Sequence, residues 1–429
     1  MSYNSSPAII GSLKNSLHDI LRDALTPGHA GCGVDGVVPQ FVATPPSVEE
    51  LAAALAAANE HGAAVIPWGA GRHMSLGNVP SRYDIALRTT KLDRVLEYEP
   101  ADLTLTVEAG ITMGRLQALL AERGQFLPID APADATAGGV LASGASGPSR
   151  HAYGLPRDWL IGCRLALADG TLVKCGGRVV KNVAGYDMQK LAVGSIGTLA
   201  VIVEATFKLA PLPPAQETLV ATFASVDEAA AAIRAADDRS LALRAVAFRR
   251  TSDVTTAAFW LAGPPAAVER TRRELAQVCG AAQTQRLEGE ASDRWWAQLG
   301  DFEAAAEGVA LRVSLLPSDV SGFSGRMSDH AADVAAYPTT GLVLVRLPPA
   351  GVEDLVHVTL DTRRQAADHG GSLVVTGAPV EVKKRIDVWG DPSTSSGQAL
   401  ASALPLMRRL KEQFDPRGTL NPGRCVGVM

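Results

Sequence analysis

Glycine falls in three dense segments within about 130 residues of this 429-residue chain: "PWGAGRHMSLG" at 67–77, "DATAGGVLASGASG" at 134–147 and "GRVVKNVAGYDMQKLAVGSIGT" at 177–198. Residues without a Cβ let the backbone approach a partner closely and let successive N–H groups converge on an anion. One such loop alone reads equally well as an ordinary tight turn. The first follows the apolar stretch "AAVIP", as a dinucleotide loop follows a strand, but "NVPSRYDIAL" comes next in place of a helix. The dinucleotide fingerprint of a βαβ unit requires that helix, so that unit is excluded. An isolated phosphate needs only one loop. Three inside one domain point to a long ligand laid along a groove, and a diphosphate-linked dinucleotide fits. The third segment adds isolated polar side chains, Lys181, Asn182, Tyr186 and Asp187, just before the buried-looking run "LAVIVEATFKLAP".

The surrounding pattern is that of a folded α+β chain. "SVEELAAALAAANEHG" opens with Ser47 and Glu50 at capping-box spacing and predicts a helix to Gly62. "AAVIP", "DIALRTT", "RVLEYEP" and the alternating "LTLTVEAG" read as strands, and "TMGRLQALLAERG" as a helix closing on Gly124. "IGCRLALADGTLVKCG" predicts a hairpin with Asp169-Gly170 as a two-residue turn. Prolines 211, 213 and 214 mark a domain boundary. Beyond them the order helix, strand, strand, helix, strand, helix, strand predicts an antiparallel sheet with helices on one face. "DPSTSSGQALASA" at 391–403 reads as a flexible connection, and "LMRRLKEQFDPRGTLNPGRC" as a short helix ending near Phe414 followed by a punctuated loop.

Composition narrows the function classes. With 47% apolar and 20% charged residues the chain is globular, and a net charge of −5 argues against nucleic acid as a partner. No run of 18 uncharged apolar residues suggests a membrane span, and the N-terminal stretch lacks the pattern of a secretory signal. The five cysteines, at 32, 163, 175, 279 and 425, form no CxxC pair, which excludes a self-contained iron–sulfur cluster or zinc ribbon of usual spacing. Cys163 and Cys175 flank the hairpin turn and read as small buried hydrophobes. The expectation is a soluble cytoplasmic protein.

"PWGAGRHMSLG", "ATAGGVLASGASG", "KNVAGYDMQKLAVGSIGTLAVIVEATFKLAP" and "FDPRGTLNPGRC" together resemble the FAD-binding segments of the vanillyl-alcohol-oxidase type flavoproteins, the PCMH fold. The third segment is most similar to the FAD-binding subunits of bacterial glycolate oxidases. The resemblance covers about 38–212 and the last 30 or so residues. It implies an α+β chain with a PCMH-type bipartite FAD-binding domain at 38–212, a smaller α+β cap domain at 213–395, and a C-terminal segment, 396–429, returning to the first domain. It implies that Trp68, Gly69, Ala70, Gly71, Arg72, His73, Met74, Ser75 and Gly77 hold the FAD pyrophosphate through backbone amides. Thr136, Gly138, Gly139, Ser143 and Gly144 would lie by the diphosphate and flavin, and Gly194, Ile196, Gly197 and Thr198 against the flavin side. Val201 would offer backbone groups to the cofactor's other end, and Asn421, which lies with Arg424 in the returning tail, would be a further cofactor-binding residue. Lys181, Asn182, Tyr186 and Asp187 match polar insertions of the family motif, as structural residues or as cofactor contacts.

Two departures matter. Relatives with covalently attached FAD carry histidine directly after the second loop glycine; here that place is Arg72, and His73 comes one later, so noncovalent FAD is expected. Catalytic relatives also carry a metal-binding motif of the form H-x-x-x-D-G-N-x-x-H, and nothing like it is present. His357 and His369 share one predicted helix, but twelve residues place them about 120° apart, so no metal site is expected. Oxidising a 2-hydroxy acid also needs a cation for its carboxylate. Arg312 and Arg346 each interrupt an apolar strand, where an unpaired charge is costly. Arg312 is the candidate carboxylate clamp; pairing with a structural acid, or facing solvent, is the alternative for both.

The expected function is that of the FAD-binding subunit of a complex converting glycolate to glyoxylate, relaying electrons or supporting assembly. Its partners would be a catalytic flavoprotein subunit and an iron–sulfur subunit, with at most peripheral membrane association through them. A self-sufficient FAD dehydrogenase of a 2-hydroxy acid or sugar alcohol is the second reading. A scaffold that has lost its cofactor is the third, and the glycines at 69, 71, 138, 139 and 197 argue against it.

Overall fold

The computed structural model describes residues 7–177, 186–251, 254–300, 302, 307–390 and 398–428. Lys181, Asn182 and most of "DPSTSSGQA" lie outside them. The chain divides into two units, one made of 1–145, 155–211 and 399–429, the other of 146–154 and 212–398.

The first unit holds two principal sheets. β1 (Leu25–Pro27), β2 (Phe41–Ala43), β3 (Val65–Trp68) and β4 (Ile85–Arg88) form one, in the order β1-β2-β4-β3 with β4 parallel to both β2 and β3. β5 (Val95–Glu99), β6 (Thr104–Glu108), β8 (Leu160–Ala166), β9 (Leu172–Gly176) and β10 (Val201–Lys208) form the other, antiparallel in the order β5-β6-β10-β8-β9. β7 (Gln125–Phe126) pairs with β11 (Ala210–Pro211).

Helix Val48–Glu60 starts where Ser47 Oγ accepts the Glu50 amide at 3.2 Å and donates to the Glu50 carboxylate at 2.8 Å. Leu51, Ala54, Leu55 and Ala58, at helical spacing, bury one face against Val65, Ile85 and Leu87. Fully burying each leucine contributes about 1.5–3 kcal/mol, which fixes β3 and hence the loop that follows it. Helix Met113–Ala121 buries Leu116 and Leu120 against Leu105, Leu141 and Phe207 in a second core.

The hairpin β8–β9 forms, with Cys163 directly opposite Cys175. Its loop has three residues, not the expected two. Leu167 N donates to Thr171 O at 2.9 Å, Gly170 N donates to Leu167 O at 3.0 Å, and Gly170 takes φ 85°. Asp169 accepts the Thr171 amide at 2.9 Å, so aspartate and glycine serve a turn plus bulge.

The second unit is one antiparallel sheet of eight strands: β12 (Ala215–Phe223), β13 (Leu243–Thr251), β14 (Val254–Gly263), β15 (Gln283–Leu287), β16 (Val309–Ser314), β17 (Asp333–Tyr337), β18 (Leu342–Leu347) and β19 (Ser372–Gly377). Their order is β15-β12-β14-β13-β17-β18-β16-β19. Helices Val226–Asp238, Pro265–Cys279, Val320–Arg326 and Val352–Asp368 contribute to the core on one face, beside Phe248, Phe259 and Leu311. The expectation of helices on one face only is corrected. Trp260, Tyr337 and Leu344 on the other face bury themselves with Trp296 and Leu299 of helix Gly289–Gly300, since both faces carry bulky apolar residues. The segment 146–154 joins this unit through Ser149, which accepts from Arg244 Nε at 3.2 Å, and His151, whose Nδ1 lies 2.9 Å from Thr339 Oγ1.

The flexible connection expected at 391–403 is corrected over its described part. Residues from Gln398 are helical and continue to Phe414, through Pro405.

Candidate cofactor cleft

A cleft of about 540 Å³, its open mouth included, lies in the first unit. Gly69 to Met74 form one wall, Thr136, Gly139, Ala142 and Ser143 another, and Ile196 with the tail residues Asn421 and Arg424 complete it. Four stretches far apart in sequence meet there.

The first loop leaves β3 with its donors uncommitted. Among the described residues, the amides of Gly69, Ala70 and Gly71 have no hydrogen-bond partner, while Gly71 takes φ 86° and turns the chain back. Gly69 must be glycine because a Cβ there would overlap Thr136 Oγ1. Trp68 lies beneath: its Nε1 donates to Tyr83 Oη at 2.7 Å, which donates to Cys32 O at 2.8 Å, and burial pushes the Tyr83 pKa upward. Trp68 therefore supports the loop. Arg72 reaches Asp134 at 2.8 Å, with both side chains about half exposed, so the pair contributes at most about 1 kcal/mol while tying two walls together. His73 and Met74 line the cleft; Ser75 and Gly77 continue the loop, Gly77 at φ 109° against the Arg424 backbone.

Thr136 caps helix Ala137–Ser143, its Oγ1 accepting from Gly139 N at 3.2 Å. Gly138 packs on Ala109 and donates its amide to Ala109 O at 2.7 Å, so that N–H is spent. Ser143 Oγ donates to Val140 O, and Gly144 closes the helix at φ 65°. The third segment is stitched to this helix: Gly194 N donates to Leu141 O at 2.9 Å and Ile196 N to Ala142 O at 2.7 Å. Gly197 has φ 69°, and Thr198 Oγ1 donates to Ser195 O at 2.7 Å. Val201 opens β10 with its side chain in the core and its backbone opposite Ala166. Tyr186 is 89% exposed, and Asp187 pairs with Lys190 at 2.7 Å, which holds its carboxyl below the usual range.

The tail organises this region more than its sequence suggested. Asn421 N donates to Val65 O at 2.9 Å and its Nδ2 to Ile196 O at 2.8 Å. Arg424 is buried, its Nη2 donating to Met74 O at 2.6 Å and Leu76 O at 2.5 Å, and burial pushes its pKa down to about 10. Lys411, which sequence reasoning passed over, donates from Nζ to Thr198 O at 2.8 Å, Leu420 O at 2.9 Å and Asp415 Oδ2 at 2.5 Å. Those carbonyls of the cleft's loops are thus turned toward tail cations. The signal available was the "FDPRGTLNPGRC" punctuation, which marks a built loop but names no partner.

Arg312 stands in the second unit, half-buried in β16 opposite Leu344 and Val374. Arg346 lies in β18 with its guanidinium 4.8 Å over the Phe302 ring. No group of three or more His, Cys, Asp or Glu side chains that could hold a metal occurs among the described residues, and no helix there is long and apolar enough to cross a membrane.

A dinucleotide fits the cleft on its own chemistry. Uncommitted amides at Gly69 to Gly71 suit diphosphate oxygens. The buried Asn421 Oδ1, which has no partner, suits a hydroxyl or N–H donor. A family model described as "FAD binding domain" matches residues 39–176, and one described as "FAD linked oxidases, C-terminal domain" matches 398–425. The chain is 28% identical to the glycolate oxidase subunit GlcD of Bacillus subtilis (strain 168), over 90% of this chain and 89% of that one. It is 30% identical to the glycolate oxidase subunit GlcE of Escherichia coli (strain K12), over 78% of this chain and 85% of that one. The crystal structure of p-cresol methylhydroxylase with substrate bound superposes with a TM-score of 0.74 at 16% identity, covering 98% of this chain and 97% of that one, which shows the fold.

Proposed function

Because the chain belongs to the FAD-linked oxidoreductases of the glycolate oxidase and D-2-hydroxy-acid dehydrogenase type, we propose that it is the FAD-binding subunit of a complex converting glycolate to glyoxylate. The cofactor is FAD and the fold is the PCMH type. When bound, FAD supplies the acceptor for the two electrons of a hydroxy-acid oxidation. This chain's residues bind and orient it. The amides of Gly69 to Gly71 receive the diphosphate, and Thr136 and Ile196 bound the groove beside it.

The observation that carries the cofactor assignment is the run of three uncommitted amides facing a cleft walled by the tail. The subunit role rests on two relatives that are themselves named as subunits, and on the lack of the H-x-x-x-D-G-N-x-x-H motif in the sequence. Substrate oxidation then belongs to a catalytic flavoprotein partner and onward transfer to an iron–sulfur partner, since the sequence has no CxxC pair. Any association with a membrane runs through those partners. The second reading, a self-sufficient dehydrogenase of a 2-hydroxy acid or sugar alcohol, draws on D-2-hydroxyglutarate dehydrogenase of Xanthomonas citri as a relative 28% identical over 90% of this chain.

An anaerobic visible spectrum of the isolated chain separates the two. The oxidised flavin band is expected to persist with glycolate and to bleach with dithionite. Bleaching by glycolate would move the chemistry onto this chain.

Noncovalent attachment follows from the first loop. Arg72 fills the place after Gly71 and is committed to Asp134, and His73 is displaced by one residue. Acid precipitation should leave all the yellow colour in the supernatant. Flavin retained in the washed pellet would instead show covalent attachment, and its loss on His73→Ala would then identify His73 as the anchor.

A further inference from the structure

Residues 146–154 stand between two stretches of the first unit in sequence, yet they belong to the second. Side-chain contacts fasten them there. Ser149, 1% exposed, accepts from Arg244 Nε at 3.2 Å, and the Arg244 guanidinium lies 5.9 Å from the Tyr153 ring and 3.9 Å over Trp260. His151 is half-buried, with its Nδ1 2.9 Å from Thr339 Oγ1. The segment is one helical turn, in which the Ala152 and Tyr153 amides donate to Ser149 O at 3.1 and 3.0 Å. Gly144 at φ 65° and Gly154 at φ 78° stand at its ends, in a backbone region that favours glycine. It is a short strap between two hinges.

Of the groups that fasten the strap, only the imidazole changes charge near neutral pH. The Thr339 hydroxyl serves it in either state, accepting from Nδ1–H or donating to bare Nδ1. What protonation changes is the charge. The strap packs against β13 and the turn Pro338–Thr340, which in turn packs against helix Val226–Asp238. β13 brings the Arg244 guanidinium, the turn brings no charge, the helix brings Asp237, and Arg150 stands beside His151 in the strap. Burial outweighs the attraction of Asp237 and holds the imidazole's pKa below its ordinary value. A fastened strap therefore takes up its proton less readily than a released one. Fastening is strongest above the ordinary histidine value, about 6.5, and weakens as the pH falls below it.

We propose that residues 146–154 are a proton-sensitive strap, fastened to the second unit's sheet while His151 is neutral and let go between its glycine hinges when His151 is protonated. The consequence reaches the cofactor cleft along the chain itself. Ala142 and Ser143 line the cleft and end the helix that Gly144 closes, two residues before the strap begins. Letting the strap go removes that fixed point, so acid loosens this wall of the cleft. The strap goes beyond the FAD-subunit reading and holds whichever subunit role the chain plays.

The test is hydrogen exchange of the full chain with FAD, read peptide by peptide between pH 8 and 5, each rate divided by the intrinsic rate at that pH. The amides of Ala152 and Tyr153 should lose protection as the pH falls, while peptides of β13 and β14 keep theirs. His151→Gln, which can still hydrogen-bond Thr339 but does not titrate, should hold its protection across the range. Thr339→Val should lower protection already at pH 8 and keep the pH dependence. Constant protection in the unaltered chain would overturn the proposal, as would the same acid loss in His151→Gln. Equal loss in the β13 and β14 peptides would overturn it too, since the sheet and not the strap would then be opening. So would full protection of Thr339→Val at pH 8, because the Thr339 contact would not be what fastens the strap.

Discussion

Gly69→Ala should give a chain that folds but is purified largely colourless. The methyl group would overlap Thr136 Oγ1, and the threonine has little room to yield. Its χ1 is stiff, and its hydroxyl caps helix Ala137–Ser143 by accepting the Gly139 amide. Relief must come from the first loop, which carries the uncommitted amides. Overpacking of this kind costs about 1–3 kcal/mol; taken out of cofactor binding, that is about ten- to a hundredfold in affinity. The paired variant Gly69→Ala/Thr136→Ala decides the mechanism. Losing the cap alone costs about 1 kcal/mol, so additive effects would make the double variant the worst of the three. If the clash is the cause, removing Oγ1 recovers flavin binding relative to Gly69→Ala, a coupling that a double-mutant cycle measures directly. A double variant that binds no better than the single would show that Gly69 matters for backbone freedom and not for its approach to Thr136.

The parts of this molecule written in local patterns were legible from the sequence. Ser47 and Glu50 announced the helix that buries Leu51 and Leu55, and period-two alternation announced β6. The glycine segments were legible because steric need is local: Gly69 and Gly71 sit where a Cβ would collide or φ turns positive. What escaped depends on partners far along the chain. Gly138 looked like a phosphate contact, yet its amide goes to Ala109, on a strand exit that the motif does not contain. Ser149 and His151 belong with Arg244 and Thr339, roughly 95 and 188 positions away, and nothing in "GPSRHAYG" announces either. Arg312 and Arg346 were visible as charges interrupting apolar strands. Which groups surround them depends on the register of β16, β17 and β18, and on Phe302, which no periodicity in the sequence reports. The polar insertion at Tyr186 and Asp187 turned out to be largely surface, with Asp187 satisfied by Lys190 three residues on.

Lys411→Met should strongly destabilise the first unit. The Lys411 side chain is 11% exposed and its ammonium lies 2.5 Å from the Asp415 carboxylate, which is fully buried and also accepts the Thr419 and Leu420 amides at 2.8 and 2.7 Å. Its remaining donors hold Thr198 O and Leu420 O. Methionine fills similar space but supplies no donor, leaving a buried carboxylate without its cation and two carbonyls without partners. Removing one member of a buried pair costs about 3–5 kcal/mol, and for a unit of this size that lowers its thermal midpoint by about 10 °C. The same loss reaches the cofactor, because Thr198 closes the loop begun by Ile196, which lines the cleft, and Leu420 precedes Asn421. Following the unfolding transition by flavin fluorescence should therefore show release moving down together with the first unit's loss of helix signal. Lys411→Met/Asp415→Asn is the informative companion. Asparagine has no charge to strand and still accepts one amide with its oxygen, so if the stranded carboxylate dominates, the double variant recovers part of the midpoint. If the double is no more stable than Lys411→Met, the cost lies in the unpaired carbonyls of Thr198 and Leu420. Lys411→Arg would then be expected to restore neither, since a planar guanidinium does not reproduce the three directions in which the ammonium donates.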